Sequence, residues 1–191
     1  MIKKQTFYDS DCLSSFLIIN EGNLLKELFH EINIPSQVYE ELTCEGTPEN
    51  VKNNLQELIK DNFVKIVDLN AGTAEYLNYR NIINGNLYKG CRIGKGEAAA
   101  ITLAYENKGI LASNNFKDIK FYVDYFELPL LTTAYLLGIL FDKNIINKDE
   151  ANSMWNKMIK YRRALPESSF EIYYNNLYKK DYDDFGKRIE F

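Results

Sequence analysis

Residues 93–115 limit the possible fold more than any other stretch of the chain. They read IGKGEAAAITLAYENKGILASNN, in which glycines precede an alanine-rich segment, Gly109 ends it, and a short apolar run leads into a polar cluster. A helix with small side chains can lie close against a sheet, and a short apolar run between turn residues is typical of a buried parallel strand. Ligands of such folds bind beyond the carboxyl ends of the strands. We therefore expect Glu97, in the first helical turn, and residues 113–115 to face one crevice.

Short apolar segments alternate with segments of helical periodicity along most of the chain. Strands are predicted over residues 5–8, 31–34, 63–69, 109–112 and 128–131. This alternation predicts an α/β fold, a three-layer α/β/α arrangement with a central parallel sheet of about five strands and helices on both faces. We assign residues 1–160 to this domain. The composition then shifts toward tyrosine and lysine, and residues 161–191 are predicted to form a C-terminal helical extension.

Composition and charge exclude several classes of function. The net charge of −4 argues against a protein that coats nucleic acid through a general basic field. The single histidine, His30, nearly excludes histidine-based zinc chemistry and a Ser-His-Asp triad. Three cysteines without paired spacing favour a reduced, cytoplasmic protein. No signal peptide opens the sequence and no apolar run is long enough to cross a bilayer, so we expect no membrane association.

Carboxylates recur at the places where the predicted sheet would expose a site. Asp9 follows the first predicted strand, whereas Asp11 is predicted to cap the helix after it. Glu41 lies on the helix after the second strand, and Glu97 begins the helix before the fourth. Taken singly, these acids have ordinary explanations as a turn residue, a solvated helix position and an acid favoured by the helix dipole. Their order and their matching strand ends together favour a metal site.

With these residues placed, the chain resembles the PIN domain family of metal-dependent nucleases over residues 5–145. The residues that carry the resemblance are FYDSDCL at 7–13, IPSQVYEEL at 34–42, GKGEA at 94–98 and LPLLTT at 128–133. The resemblance implies that Asp9, Glu41 and Glu97 are the catalytic acids and metal ligands, and that residues 1–160 form a nuclease domain. Because clustered carboxylates repel one another, at least one of them should have a raised pKa without metal.

The fourth position departs from the family pattern. Where the family commonly has an acid after the fourth strand, this chain has Ser113-Asn114-Asn115. The carbonyl oxygen of Asn115 can bind Mg²⁺ but brings no charge. Asp118, one turn into the next helix, could supply the missing charge, and its ordinary alternative is an acid favoured at a helix start.

The resemblance implies hydrolysis of RNA phosphodiester bonds with Mg²⁺ or Mn²⁺, which need oxygen ligands and no histidine. It also implies the toxin of a toxin–antitoxin or related defence pair, with an antitoxin or other protein partner and a homodimer as further candidates. Substrate contacts are predicted for Ser10, Asn114, Lys89, Arg92 and Lys95. Tyr88, Tyr105 and Tyr122 are the tyrosines predicted to approach the crevice. The alternative is a PIN-like nucleic-acid-binding or scaffold module that is weakly active or inactive.

Overall fold

The computed structural model describes residues 1–88 and 93–189 and contains a parallel sheet. Its strands are Thr6–Tyr8 (β1), Ile32–Pro35 (β2), Val64–Val67 (β3), Ile110–Ala112 (β4) and Leu130–Leu131 (β5). They pair in the order β3-β2-β1-β4-β5, and every pairing is parallel. The predicted α/β fold with about five parallel strands is confirmed.

Helices cover both faces of the sheet. They are Ser10–Leu17 (α1), Ser36–Thr43 (α2), Glu49–Lys60 (α3), Ala74–Ile83 (α4), Lys95–Glu106 (α5), Phe116–Tyr125 (α6), Thr133–Asp142 (α7), Lys148–Lys160 (α8), Phe170–Asn176 (α9) and Tyr178–Asp184 (α10). Short 3₁₀ turns occupy Gly22–Glu27 and Gly186–Arg188. Successive strand residues point to opposite faces. Phe7 accordingly joins an apolar core with α4, α5 and α6, whereas Tyr8 joins a second core with α1, α3, α7 and α8.

Helix α5 lies against the sheet as its composition predicts. Ala98, Ala99, Ala100 and Ala104 are all fully buried. The chain then turns into β4 at Gly109, where a Cβ atom would lie 2.6 Å from the carbonyl oxygen of Gln5. Glycine is therefore required where the chain passes from α5 into the sheet, and the close fit fixes the end of α5 beside the starts of β1 and β4.

The order of the strands places a crevice at the carboxyl end of β1. The chain runs from β1 outward through β2 to β3, and then returns to β4 and β5 on the other side of β1. The strand order therefore reverses between β1 and β4, which is where ligands of open α/β sheets bind. Asp9 and Ser113 directly follow these two strands, and both are buried.

The C-terminal segment packs on the second core. Phe170 and Tyr173 of α9 are buried beside Trp155 of α8, and the Trp155 indole donates to the Glu167 carbonyl oxygen at 2.9 Å. Two short helices, α9 and α10, follow α8 in this segment. Among the described helices, none has the length and apolar character needed to span a bilayer.

Candidate active site

Asp9 stands at the reversal point and caps α1. Its backbone N–H continues the sheet by donating to the Ala112 carbonyl oxygen at 2.9 Å, and its Oδ1 accepts from the Cys12 N–H at 2.7 Å. The sequence prediction that Asp11 caps this helix is wrong, because Asp11 lies inside the first turn. The side chain of Asp11 is 62% exposed, whereas Asp9 as a whole is 1% exposed. Asp9 thus has a structural role in addition to the predicted site role.

The environment of Asp9 favours its protonated form. Burial raises the pKa of this carboxyl to about 7, and the charges of Asp11 and Glu97 add to the rise, against the opposing effect of the Ser113 hydroxyl and the Cys12 amide. Repulsion within the cluster is therefore a smaller cause than burial. The Oδ2 atom is buried, and no described residue stands in hydrogen-bonding geometry to it, although the Ser113 hydroxyl is close enough to lower the pKa. A buried carboxylate oxygen without a partner is costly and therefore needs an explanation, such as a ligand that binds there.

Glu97 lies in the first turn of α5 and is held from two sides. Its Oε2 accepts from the Gly94 N–H at 3.0 Å, which closes a capping interaction at the start of the helix. Its Oε1 accepts from the Asn115 side-chain amide at 2.7 Å. The prediction that Glu97 faces the polar cluster after β4 is confirmed by this contact.

Asn115 joins two carboxylates. Its Nδ2 donates to Glu97 at 2.7 Å and to Asp118 Oδ2 at 2.8 Å. The amide nitrogen therefore faces the acids, and the carbonyl oxygen could bind a cation there only after rotation of the amide. Asp118, in the first turn of α6, lies within the same cluster as Glu97. The family commonly has an acid at this fourth position. This chain has Asn115 instead, whose side-chain amide donates hydrogen bonds to two acids.

Glu41 approaches the same helix start from α2. Its Oε1 accepts from the Gly96 N–H at 3.0 Å, so two successive residues of α5, Gly96 and Glu97, connect Glu41 to the cluster. The absence of a side chain at Gly96 permits this contact, since a Cβ atom there would lie 2.5 Å from Glu41 Oε2. The structure therefore brings Glu41, Glu97, Asn115 and Asp118 to one end of the sheet, and the charge of Glu97 also reaches Asp9.

The remaining predicted contacts divide into three groups. Ser10, at the start of α1, lines a cleft with Glu41, and Lys95 is exposed at the start of α5. Asn114 bonds elsewhere, because its Oδ1 accepts from the Thr133 N–H at 2.8 Å and its Nδ2 donates to Thr133 Oγ1 at 2.9 Å. It thereby ties the end of β4 to the start of α7. Lys89 and Arg92 lie outside the described residues.

Three tyrosines are predicted from the sequence to approach the crevice. Two of them have exposed side chains, and the third is buried. Tyr122 is fully buried and its hydroxyl bonds to the Ile82 carbonyl oxygen, so its predicted approach to the crevice is wrong. Tyr88 is exposed and stacks on Phe121 of α6 with ring centroids 4.3 Å apart. Tyr105 is exposed near the end of α5, opposite Glu97, where it packs on Phe126 with ring centroids 4.4 Å apart and lines a cleft with Gly109, so its predicted approach to the crevice is also wrong.

The carboxylates offer the right donor atoms for a hard divalent cation, but they do not form a ready-made cage. Within residues 1–88 and 93–189, no three His, Cys, Asp or Glu side chains lie close enough together to hold a metal ion. N–H donors of Gly94, Gly96 and Asn115 bind the carboxylates of Glu97 and Glu41 instead. Oxygen donors suit Mg²⁺ and Mn²⁺, and the partnerless Oδ2 of Asp9 suits direct binding. A cation would compete with these N–H donors for the other acids.

Sequence reasoning did not assign Arg163 to this end of the molecule. It follows α8, and its guanidinium reaches back to α1, donating to Ser14 Oγ at 3.1 Å and lying 3.5 Å from Asp11 Oδ1. It lines the same cleft as Ser10 and Glu41. The only sequence signal was the Arg162-Arg163 pair at the start of the extension, which does not reveal what it contacts.

Comparison with known proteins identifies the fold and the family of the chain. Fifteen chains of solved structures match the fold. One of them belongs to the crystal structure of VapBC2 from Rickettsia felis, which is bound to a DNA fragment from the VapBC2 promoter. It superposes with a TM-score of 0.50 and 20% identity over 66% of this chain and 97% of the other. No curated protein sequence matches the chain. The model of a family described as a PIN domain, DUF3368, matches residues 5–173. With this match and the acids at the reversal point of its sheet, the chain belongs to the PIN domain family.

Proposed function

We propose that this protein is a Mg²⁺- or Mn²⁺-dependent endoribonuclease. PIN domains are generally nucleases, and the observation that carries the proposal is the buried carboxylate of Asp9. It lies at the reversal point of the sheet with a partnerless Oδ2, within electrostatic reach of Glu97. A structural helix cap would need only Oδ1, which already accepts from the Cys12 N–H. The second oxygen is left for a ligand, and a divalent cation is the ligand that a carboxylate cluster selects.

The proposed roles follow from the positions of the side chains. A bound divalent cation would supply a nucleophilic water near neutral pH and neutralise charge on the leaving oxygen. Asp9 would hold it directly, with Glu97 and Glu41 as the other carboxylate ligands. Asp118 adds charge beside Glu97, and Asn115 orients both acids. Ser10 and Lys95 lie where they could contact substrate phosphate.

The identity of the substrate and of the partner is part of the proposal. Within the described structure, the Tyr88–Phe121 stack continues to the exposed ring of Tyr125, which lies 5.5 Å from Phe121. Phe121 and Tyr125 lie one and two helical turns after Asp118 on α6. The row of rings therefore starts near the acids and runs along the helix. Exposed rings favour the unstacked bases of single-stranded RNA. The similarity to VapBC2 suggests the toxin of a toxin–antitoxin pair with an antitoxin partner. The free thiols of Cys12 and Cys44 agree with a cytoplasmic location.

Cleavage of single-stranded RNA is the direct test. We expect the wild-type protein to cut labelled RNA in Mg²⁺ or Mn²⁺ and to stop when EDTA is added. Glu97→Gln should lower the rate by at least about 10²-fold, because a lost metal ligand removes several kcal/mol of transition-state stabilisation. Glu106→Gln is the matched control, since it makes the same change at the other end of α5, where Glu106 bonds to Asn78. Equal trace activity in the wild type and Glu97→Gln would reject the nuclease.

A second prediction tests the position of Glu41. Gly96→Ala should displace the Glu41 carboxylate, because the new Cβ atom would lie 2.5 Å from Oε2. We expect RNA cleavage to fall about tenfold or more while the free energy of unfolding changes by no more than about 1 kcal/mol, since alanine favours helix. Gly94→Ala is the control, because its Cβ atom would lie 3.5 Å from Glu97 in ordinary contact. Unchanged cleavage by Gly96→Ala would remove Glu41 from the machinery.

The alternative function is a weakly active or inactive PIN-like module that binds nucleic acid. The observation that favours it is that the Asn115 side-chain amide donates hydrogen bonds to Glu97 and Asp118, the carboxylates that would otherwise bind a cation. The cleavage assay separates the two functions, because a binding module would retain RNA without any metal-dependent product.

A further inference from the structure

We propose that Arg163, from the segment after α8, binds a phosphate of the substrate strand in a cleft beside the active site. The inference rests on the proposed function, because it names a substrate contact for the same site. The cleft has a volume of about 450 Å³ and is bounded by α1, α2 and the loop before α3. Ser10 and Glu41 lie on its wall, so it opens directly next to the catalytic acids.

The guanidinium of Arg163 is only partly engaged by the protein. Both of its contacts, to Ser14 and Asp11, are made by Nη1, and the Nε atom is buried without a hydrogen-bond partner among the described residues. An arginine has five N–H donors in a fixed planar arrangement that matches phosphate oxygens. The side chain is 24% exposed, so part of it remains open to the cleft.

The contact with Asp11 does not account for this arrangement. The distance of 3.5 Å is long for a charge-assisted hydrogen bond, and the Asp11 side chain is 62% exposed. Such surface pairs contribute little to stability. Asp11 and Ser14 thus orient one edge of the guanidinium without using its other donors.

The charge around the cleft selects the ligand. Of the described residues that line it, Arg163 is the cation, whereas Asp11, Glu41 and Glu45 are acids. A free anion would be repelled by this wall, but a phosphate on a strand already held at the neighbouring metal site would meet one oriented cation. Arg163 therefore acts as a local phosphate contact and does not create a general basic surface, in agreement with the net charge of −4.

The backbone keeps Arg163 in place. Its N–H donates to the Met158 carbonyl oxygen at 3.0 Å, which closes the turn that ends α8, and the preceding Arg162 has a φ of +59°. The turn aims one arginine at the cleft, and the Arg162 side chain stays exposed. Arg163 is thus the proposed phosphate contact, and its neighbour Arg162 is the matched control.

The experiment measures RNA binding by the protein with Asp9 intact at several salt concentrations, with Ca²⁺ in place of Mg²⁺, because Ca²⁺ also takes oxygen ligands but is not the cation proposed for catalysis. The probe is a fluorescein-labelled decamer of single-stranded RNA. Removal of one phosphate contact should reduce the slope of log K against log salt by about 0.7. We expect Arg163→Gln to show this loss, Arg162→Gln to keep the slope, and Arg163→Lys to keep the slope with weaker binding, because lysine retains the charge without the planar donors.

The outcomes separate a phosphate contact from a structural role. An unchanged slope in Arg163→Gln, an equal loss in Arg162→Gln, or wild-type affinity in Arg163→Lys would overturn the inference, as would no measurable RNA binding. Since binding is measured without turnover, failure of the wild-type protein to cleave RNA would reject the proposed nuclease and leave this contact standing.

Discussion

Replacement of Asp9 by asparagine is expected to stabilise the metal-free protein by about 4 kcal/mol at pH 8. The pKa of this carboxyl rises from its ordinary value of 3.8 to about 7 on folding, and three pKa units correspond to about 4 kcal/mol. Asparagine removes the buried charge and keeps an oxygen at the Oδ1 position. The Cys12 N–H therefore retains its acceptor, and α1 keeps a good N-cap.

The pH dependence gives the sign of the effect. The folded state binds a proton more tightly at Asp9 than the unfolded state does, so the contribution of Asp9 to the wild-type free energy of unfolding, and hence the wild-type value relative to Asp9→Asn, should fall as the pH rises from about 4 to about 7. Below this window Asp9 is protonated in both states, and the two proteins should be alike. Urea unfolding in EDTA at pH 3.5, 5.5 and 8 measures the difference.

The control for this experiment is Asp11→Asn, which removes an exposed carboxylate two residues away. We expect it to change the free energy of unfolding by less than about 1 kcal/mol, as exposed pairs do. If the free energies of unfolding of the wild type and Asp9→Asn change with pH in parallel, folding does not raise the pKa of Asp9. Mg²⁺ should stabilise the wild type more than Asp9→Asn, because a ligand that binds only the folded state raises stability.

The sheet could be predicted because its signals are local. Each strand is a short apolar run between turn residues, and Gly109 marks a crossing that only glycine permits. The parallel order followed from alternation with helices. The boundaries differ, since the sequence predicts the third strand over residues 63–69 and the structure forms it from Val64–Val67. Strand ends depend on pairing with β2, which the sequence of β3 alone does not encode.

The directions of the site side chains could not be predicted, because they depend on contacts far apart in sequence. Asn114 and Asn115 are neighbours with the same side chain, yet one ties β4 to Thr133 and the other joins Glu97 to Asp118. The contact of Glu41 with Gly96 spans 55 residues. Asp9 was correctly placed at the end of β1, but its capping of α1 was assigned to Asp11, since both acids fit the pattern of a helix start.

Substitution of Asn115 by aspartate should lower the stability of the metal-free protein and raise its affinity for metal. In the native protein its Nδ2 donates to Glu97 and to Asp118, both through charge-assisted hydrogen bonds. An aspartate removes both donors and adds a third negative charge. We expect the metal-free variant to lose about 2–3 kcal/mol at pH 8, because a hydrogen bond to a charged group contributes about 1.5–3 kcal/mol and like charges repel.

Metal should reverse this loss, because three carboxylates with no N–H donor between them bind a divalent cation better than two acids linked by an amide. Thermal unfolding across a Mn²⁺ titration measures it, since stabilisation grows with the logarithm of metal concentration over the dissociation constant. We expect the variant to reach a given stabilisation at about tenfold less Mn²⁺ than the wild type. Asn114→Asp is the control, because Asn114 bonds to Thr133 and should leave Mn²⁺ affinity unchanged. A variant that folds but binds Mn²⁺ no better than the wild type would show that position 115 lies outside the metal site.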